Sequence, residues 1–240
     1  MRLTFDIISW GAWSPLYQQA LDWRHWQAPT GVQLPPALTP KLQQVSPNQR
    51  RRLSPLTKIL LAAAFQAQPP SQCRSIFASQ HGEINRTMSL LNDITHKNSL
   101  SPTSFSQSVH NTASGIFSIL THNQAASTAI AAGSSSLSQA FIEAYGLLHE
   151  NAEPILLVYG DEPVPAIFKE FNCQPEWPIA MAFVLTKQSS NTRVAKLTVD
   201  TVNSQKTDTT LHYGQMLQAL ACRSPLAGII ANQHWSINCD

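Results

Sequence analysis

The sequence predicts a layered α/β fold in a single domain spanning residues 1–240. Three observations predict it. Residues 155–159, ILLVY, form an unbroken apolar run of strand length. Residues 134–149 place Leu137, Ala140, Phe141, Ala144 and Leu148 at the 3.6-residue period of a helix. Strand-like and helix-like segments then alternate along the chain, as they do where helices pack on a sheet.

The elements follow in order. Residues 3–9, LTFDIIS, alternate as a strand, and WGAW after them reads as an aromatic turn. Residues 14–52 are rich in Pro, Gln and Trp and sustain no period, so they are expected to pack irregularly on the domain, with Trp23 and Trp26 as anchors. Ser54 and Pro55 open a helix as N-cap and first turn, and Pro69-Pro70 ends it. SQCRSIFAS reads as a buried strand. A loop then leads into a helix from about Met88 to Ile94, and residues 98–112 form a polar connector. A helix is expected over 113–121. Residues 125–132 read as a short buried strand of small side chains, and Ser134 or Ser135 caps the helix after it. ILLVY ends at Gly160. Residues 178–186 and 193–200 read as two strands joined by a hairpin loop, KQSSNT, and a late helix covers about 209–221. No internal repeat or linker interrupts the chain.

Composition narrows the classes. Only 12% of residues are charged, about half the usual ~25%, so polar neutral side chains must cover the surface and a face is easily buried against a partner. Net charge is +2, and the one basic run is Arg50, Arg51 and Arg52, which suits a solvated helix foot or a contact to an acidic protein or a phosphate. That is not the broad basic face of a nucleic-acid binder. Cys73, Cys173, Cys222 and Cys239 include no CxxC pair and no zinc spacing, so reduced cysteines are expected, with no metal. The N-terminus lacks a signal-peptide layout, and no apolar run approaches the roughly 20 residues of a membrane span. A cytoplasmic protein is expected.

Residues 101–149 carry the most specific signal. SPTSFSQSVHN precedes a helix, and a short strand of small residues then ends in AAGSSSL at the start of another helix. These segments resemble the N-terminal half of β-ketoacyl synthases, which have the thiolase fold. LSPLTKILLAAAFQA resembles the family's early helix. ILLVYGDEPVP resembles the strand after its nucleophile helix. WGAW and YGDEP are similar to the small-subunit branch, the chain-length factors. The likeness covers most of residues 1–200. It implies a thiolase-like layered fold with a truncated C-terminal half.

The resemblance also places Gly133 where the family carries its nucleophilic cysteine. A cysteine there is chemically apt, because backbone N–H groups at a helix start stabilise a thiolate that can attack an acyl thioester. Glycine cannot do this. Ser134 lies one position late, about 100° around the helix, and needs a base. His212 and His234 stand in no His-Gly-Thr motif of the family type. The implied subunit therefore has no catalytic residues and needs no cofactor.

What the resemblance assigns instead is shaping. The strand with Ala125, Ser127, Thr128, Ala129, Ile130 and Ala131 would pair across a two-fold axis with a partner sheet. The connector would line the far end of the partner's acyl tunnel through Phe105, Ser108, Val109, His110, Thr112 and Phe117, with the size gate at Val109 and His110. The implied partners are a full-length ketosynthase and acyl carrier protein, in the branch that makes aryl polyene pigments. Two other readings stay open on the residues: an acyl hydrolase or malonyl decarboxylase using Ser134, and a module that shelters a carrier protein without shaping a tunnel.

Overall fold

The computed structural model describes residues 1–28, 38–171, 177–187, 193–201 and 209–239. One sheet organises it. Its strands are β1 (Arg2–Trp13), β2 (Arg74–Ala78), β3 (Ser127–Ile130), β4 (Ile155–Asp161), β5 (Ile179–Thr186), β6 (Ala195–Thr201), β7 (Leu226–Ile230) and β8 (Gln233–Asn238). They lie in the order β3-β2-β4-β5-β1-β6-β8-β7. β3, β2 and β4 run parallel and the remaining pairs are antiparallel.

The helices are α1 (Pro47–Arg50), α2 (Pro55–Ala67), α3 (Ile84–Thr95), α4 (Pro102–Ser106), α5 (Thr112–Thr121), α6 (Ser136–Glu150) and α7 (Tyr213–Cys222). They form two outer layers. On one face α6 and α7 pack with Ile155, Leu157, Phe183 and Leu197. On the other α2 and α5 pack with Leu156, Val158 and Val184. Alternate residues of β4 thus enter opposite cores, and every residue of that strand is buried. A strand covered on both faces reads as a continuous apolar run, so ILLVY is explained. Truncating Leu157, which is fully buried, to Ala would cost about 2–5 kcal/mol.

Several local expectations hold. Ser54 Oγ accepts from the backbone N–H of Thr57 and caps α2. Gln68 then turns left-handed before Pro69. Trp23 is buried beside Tyr17, and Trp26 is half-buried against α7. Among the described residues, no helix is long and apolar enough to cross a membrane.

Other expectations are corrected. WGAW is not a turn: Trp10 to Trp13 continue β1 and pair with Phe183 to Ala180. The cross-strand partner supplies the ladder bonds, and tryptophan packs well on a pleated surface. Segments 178–186 and 193–200 are strands but not a hairpin, because β1 lies between them and bonds both. Most of KQSSNT, like 202–208 and Cys173, lies outside the described residues. Strand β3 is not buried within the chain itself: it forms one edge of the sheet, with alternating exposed and half-buried residues. Gly160 does not end β4, which runs on to Asp161, and α3 begins at Ile84 rather than near Met88. The β7–β8 hairpin was not anticipated; Ala231 and Asn232 turn it with positive φ, and Trp235 enters the core.

Candidate functional site

Three parallel strands release their chains at the same end of the sheet. In register, Ala78 stands opposite Ile130 on one side and Tyr159 on the other. The segments that follow, Ser79 to Glu83, Ala131 to Ser135, and Asp161 with Glu162, therefore gather at one rim. Carboxyl ends of parallel strands are where open α/β sheets build their sites.

At the β3 exit the chain makes a tight turn into α6. Ser136 Oγ donates to the carbonyl of Gly133 and accepts from Ala132 N–H. Neither Ser134 nor Ser135 caps the helix with its side chain, since Ser136 takes over that polar work from inside the first turn. Gly133 has φ +57°, the left-handed region that glycine enters without strain. It is exposed, and a Cβ added there would meet nothing within 4 Å. The position is an open platform with no side chain on it.

No catalytic set surrounds that platform among the described residues. Ser134 is exposed, and its hydroxyl donates no hydrogen bond to a histidine or carboxylate among the described residues. His234 lies on β8, six strand positions from β3, on the order of 30 Å away. His212 precedes α7 beside Trp26, and its neighbour Leu211 bonds β7 at the far edge of the sheet. Burial pushes the Cys73 thiol up to about 11, so it is no latent nucleophile. No group of three His, Cys, Asp or Glu among the described residues is placed to hold a metal.

The neighbouring exits are polar and buried. Asp161 accepts from Ser79 Oγ at 2.7 Å and from the backbone N–H groups of Gln80 and His81. Glu83 accepts from Ser54 Oγ and Thr57 Oγ1, each at 2.7 Å, and pairs with Arg86. Burial raises the carboxyl pKa of Asp161 against those hydrogen bonds, and raises that of Glu162, whose neighbours Glu83 and Asp161 add to the effect. Burial also drives the Tyr159 hydroxyl well above its ordinary range. Sequence reading passed over this network. Its signal was present in SQHGE and YGDE, each directly after a predicted strand.

The connector sits on that network. His110 Nε2 bonds the Ser79 carbonyl, and its ring covers Gly82. Phe105 and Val109 are exposed at 65% and 51%. Ser108 is half-buried, its hydroxyl bonding Phe105 O. Thr112 is buried and bonds Val109 O. Phe117 stacks on Phe65 and Phe77 inside the protein's own core. The connector thus splits into an outward pair, Phe105 and Val109, and an inward pair, Thr112 and Phe117.

Strand β3 leaves a ladder open. Ser75 N–H donates to Ala126 O and Ser79 N–H to Ile130 O. Even-numbered residues therefore face β2, and Ser127, Ala129 and Ala131 turn their backbone groups outward. All three are exposed, while Ala125, Thr128 and Ile130 are half-buried.

The β-ketoacyl synthase N-terminal domain family matches residues 23–237. No curated protein matches the chain. Among solved structures, it is similar to a chain of the ketosynthase ApeO in complex with its chain length factor ApeC from Xenorhabdus doucetiae. The TM-score is 0.77 at 24% identity, over 98% of this chain and 99% of that one. It is also similar to the ishigamide ketosynthase/chain length factor, at TM-score 0.74 and 11% identity, over 99% of each chain. A third is AntDE:AntF, a type II acyl-carrier protein in complex with its ketosynthase, at TM-score 0.66 and 11% identity, over the whole of both chains.

Proposed function

The chain belongs to the β-ketoacyl synthase N-terminal domain family, and on that premise we propose that it is a non-catalytic chain-length factor. It pairs with a full ketosynthase and shapes that partner's acyl tunnel while malonyl units are condensed on acyl carrier protein. The observation that carries this reading is Gly133. The strand, turn and helix that would present a nucleophile are built, yet the position is bare and no base stands near it among the described residues. The solved structures it resembles in fold include ketosynthase–chain length factor pairs and a carrier-protein complex. WGAW and YGDEP are similar to the chain-length-factor branch, and the resemblance as a whole is to the aryl polyene type.

In this role the open edge of β3, with Ser127, Ala129 and Ala131, continues the sheet into the ketosynthase. Phe105 and Val109 supply the bulk that limits chain growth, and His110 fixes the connector beneath them. The role calls for no cofactor. Coexpression with a full-length ketosynthase and a carrier protein from the same source tests it: a heterodimer is expected to copurify, and Val109→Trp to shorten the products by at least one condensation step on mass spectrometry. A stable monomer that hydrolyses or decarboxylates acyl thioesters, and loses that activity in Ser134→Ala, would overturn it.

A further inference from the structure

Four cations meet around one recess that the proposed role does not use. Lys41 from the segment before α1, Arg50 and Arg51 at the end of α1, and Lys58 on α2 line an open recess of about 420 Å³ together with Thr39 and Gln43. Among the described residues none of the four has a carboxylate within ion-pair distance. The sequence explains why: no Asp or Glu occurs between Asp22 and Glu83. Arg50 is tethered, its guanidinium donating to the carbonyls of Lys41 and Leu42. That bond draws the Lys41 segment and α1 together despite their like charge. Burial, then Arg50 and Arg86, push the Lys58 amine below its usual range. Like charges so gathered and preorganised favour an anion at their centre.

The shape selects the anion. The four cations line one recess, and no aromatic residue is among its described lining residues. A nucleic-acid strand would call for a longer basic track with stacking platforms. Guanidinium and ammonium groups from three segments of the chain suit the clustered oxygens of phosphate. We propose that this recess binds a compact phosphate-class anion, either a free small molecule or a phosphoryl group carried on a protein.

Isothermal titration of the full-length chain with inorganic pyrophosphate at low ionic strength tests this. Saturable binding is expected, weakened about tenfold in Lys41→Ala/Arg51→Ala by loss of two charge-assisted contacts. Lys41 and Arg51 are exposed, so the variant keeps its fold, checked by an unchanged melting temperature. Arg51→Lys alone retains most of the affinity. A phosphoserine peptide binding more tightly than pyrophosphate identifies a protein-borne phosphoryl group; the reverse order identifies a free ligand, and both support the site. Absence of saturable heat, binding unaltered in the double variant, or tighter capture of hexaglutamate than of either phosphate probe would overturn it.

Discussion

Nε2 of His110 lies 3.0 Å from the carbonyl oxygen of Ser79, and the same ring covers Gly82. A carbonyl only accepts, so Nε2 carries the proton. One imidazole thus joins the connector to the loop that feeds Asp161. Gly82 has φ +55°, and an added Cβ would lie 2.8 Å from His110 Cδ2. Gly82→Ala is expected to destabilise the protein by about 2–3 kcal/mol through backbone strain and overlap. In a His110→Ala background the overlap vanishes, so a double-mutant cycle in urea should show about 1 kcal/mol of coupling. Strictly additive losses would separate the two residues.

At Gly133 the expectation is different. Gly133→Cys meets no neighbour, so its cost is the left-handed backbone alone, about 1–2 kcal/mol. The new thiol should react with iodoacetamide faster than an ordinary exposed cysteine, because the start of α6 stabilises its thiolate. It should not confer condensing activity on the isolated chain, since no base adjoins it among the described residues. An accumulating acyl-enzyme on intact mass spectrometry would show that the site retains more chemistry than its surroundings display.

The odd residues of β3 allow a clean edge test. Ala129→Pro removes an N–H that points away from β2 and leaves the β2–β3 ladder bonds in place, as edge strands tolerate. The chain should melt within a few degrees of the parent. Its association with the ketosynthase should weaken by about tenfold or more, since ladder bonds are lost at the junction. Unchanged affinity by surface plasmon resonance would place the junction elsewhere.

The acidic rim gives the protein a pH signature. Asp161 and Glu162 both have raised folded-state pKa values, so folding favours their protonated forms. Their contribution is fully present below the ordinary carboxyl range, near 4.5 for Glu162, and is lost as pH rises through the raised values. Glu162→Gln keeps a neutral acceptor for Asn85. Its melting temperature should exceed the parent's at pH 8 and converge with it at pH 4.5. A variant less stable at pH 8 would show that the charged form is the supported one.

How much of this was legible depended on where the deciding contact lay. The capping of α2 by Ser54 and the burial of ILLVY are local, and both were readable. The burial of β3 was not legible, because alanines look apolar whether they face a core or await a partner. The false hairpin between 186 and 193 failed because a strand from the far end of the chain enters between its arms. WGAW reads locally as a turn for the same reason: only β5, about 170 residues away, makes it a strand. Gly133 was found through its motif, whereas the bonds among Ser79, His81 and Asp161 needed the parallel register to bring three loops to one rim.

The central place of β1 also dictates when the protein can become itself. β1 is bonded on both sides by strands from the last third of the chain, and roughly 170 residues separate Trp13 from Ile179. At about 5–20 residues per second, its two hydrogen-bonding margins wait on the order of 10–30 s for partners. During that interval a twelve-residue apolar ribbon is a template for mispairing. Yield in the cell is therefore expected to be governed by elongation rate and chaperone supply as much as by the final stability of the sheet.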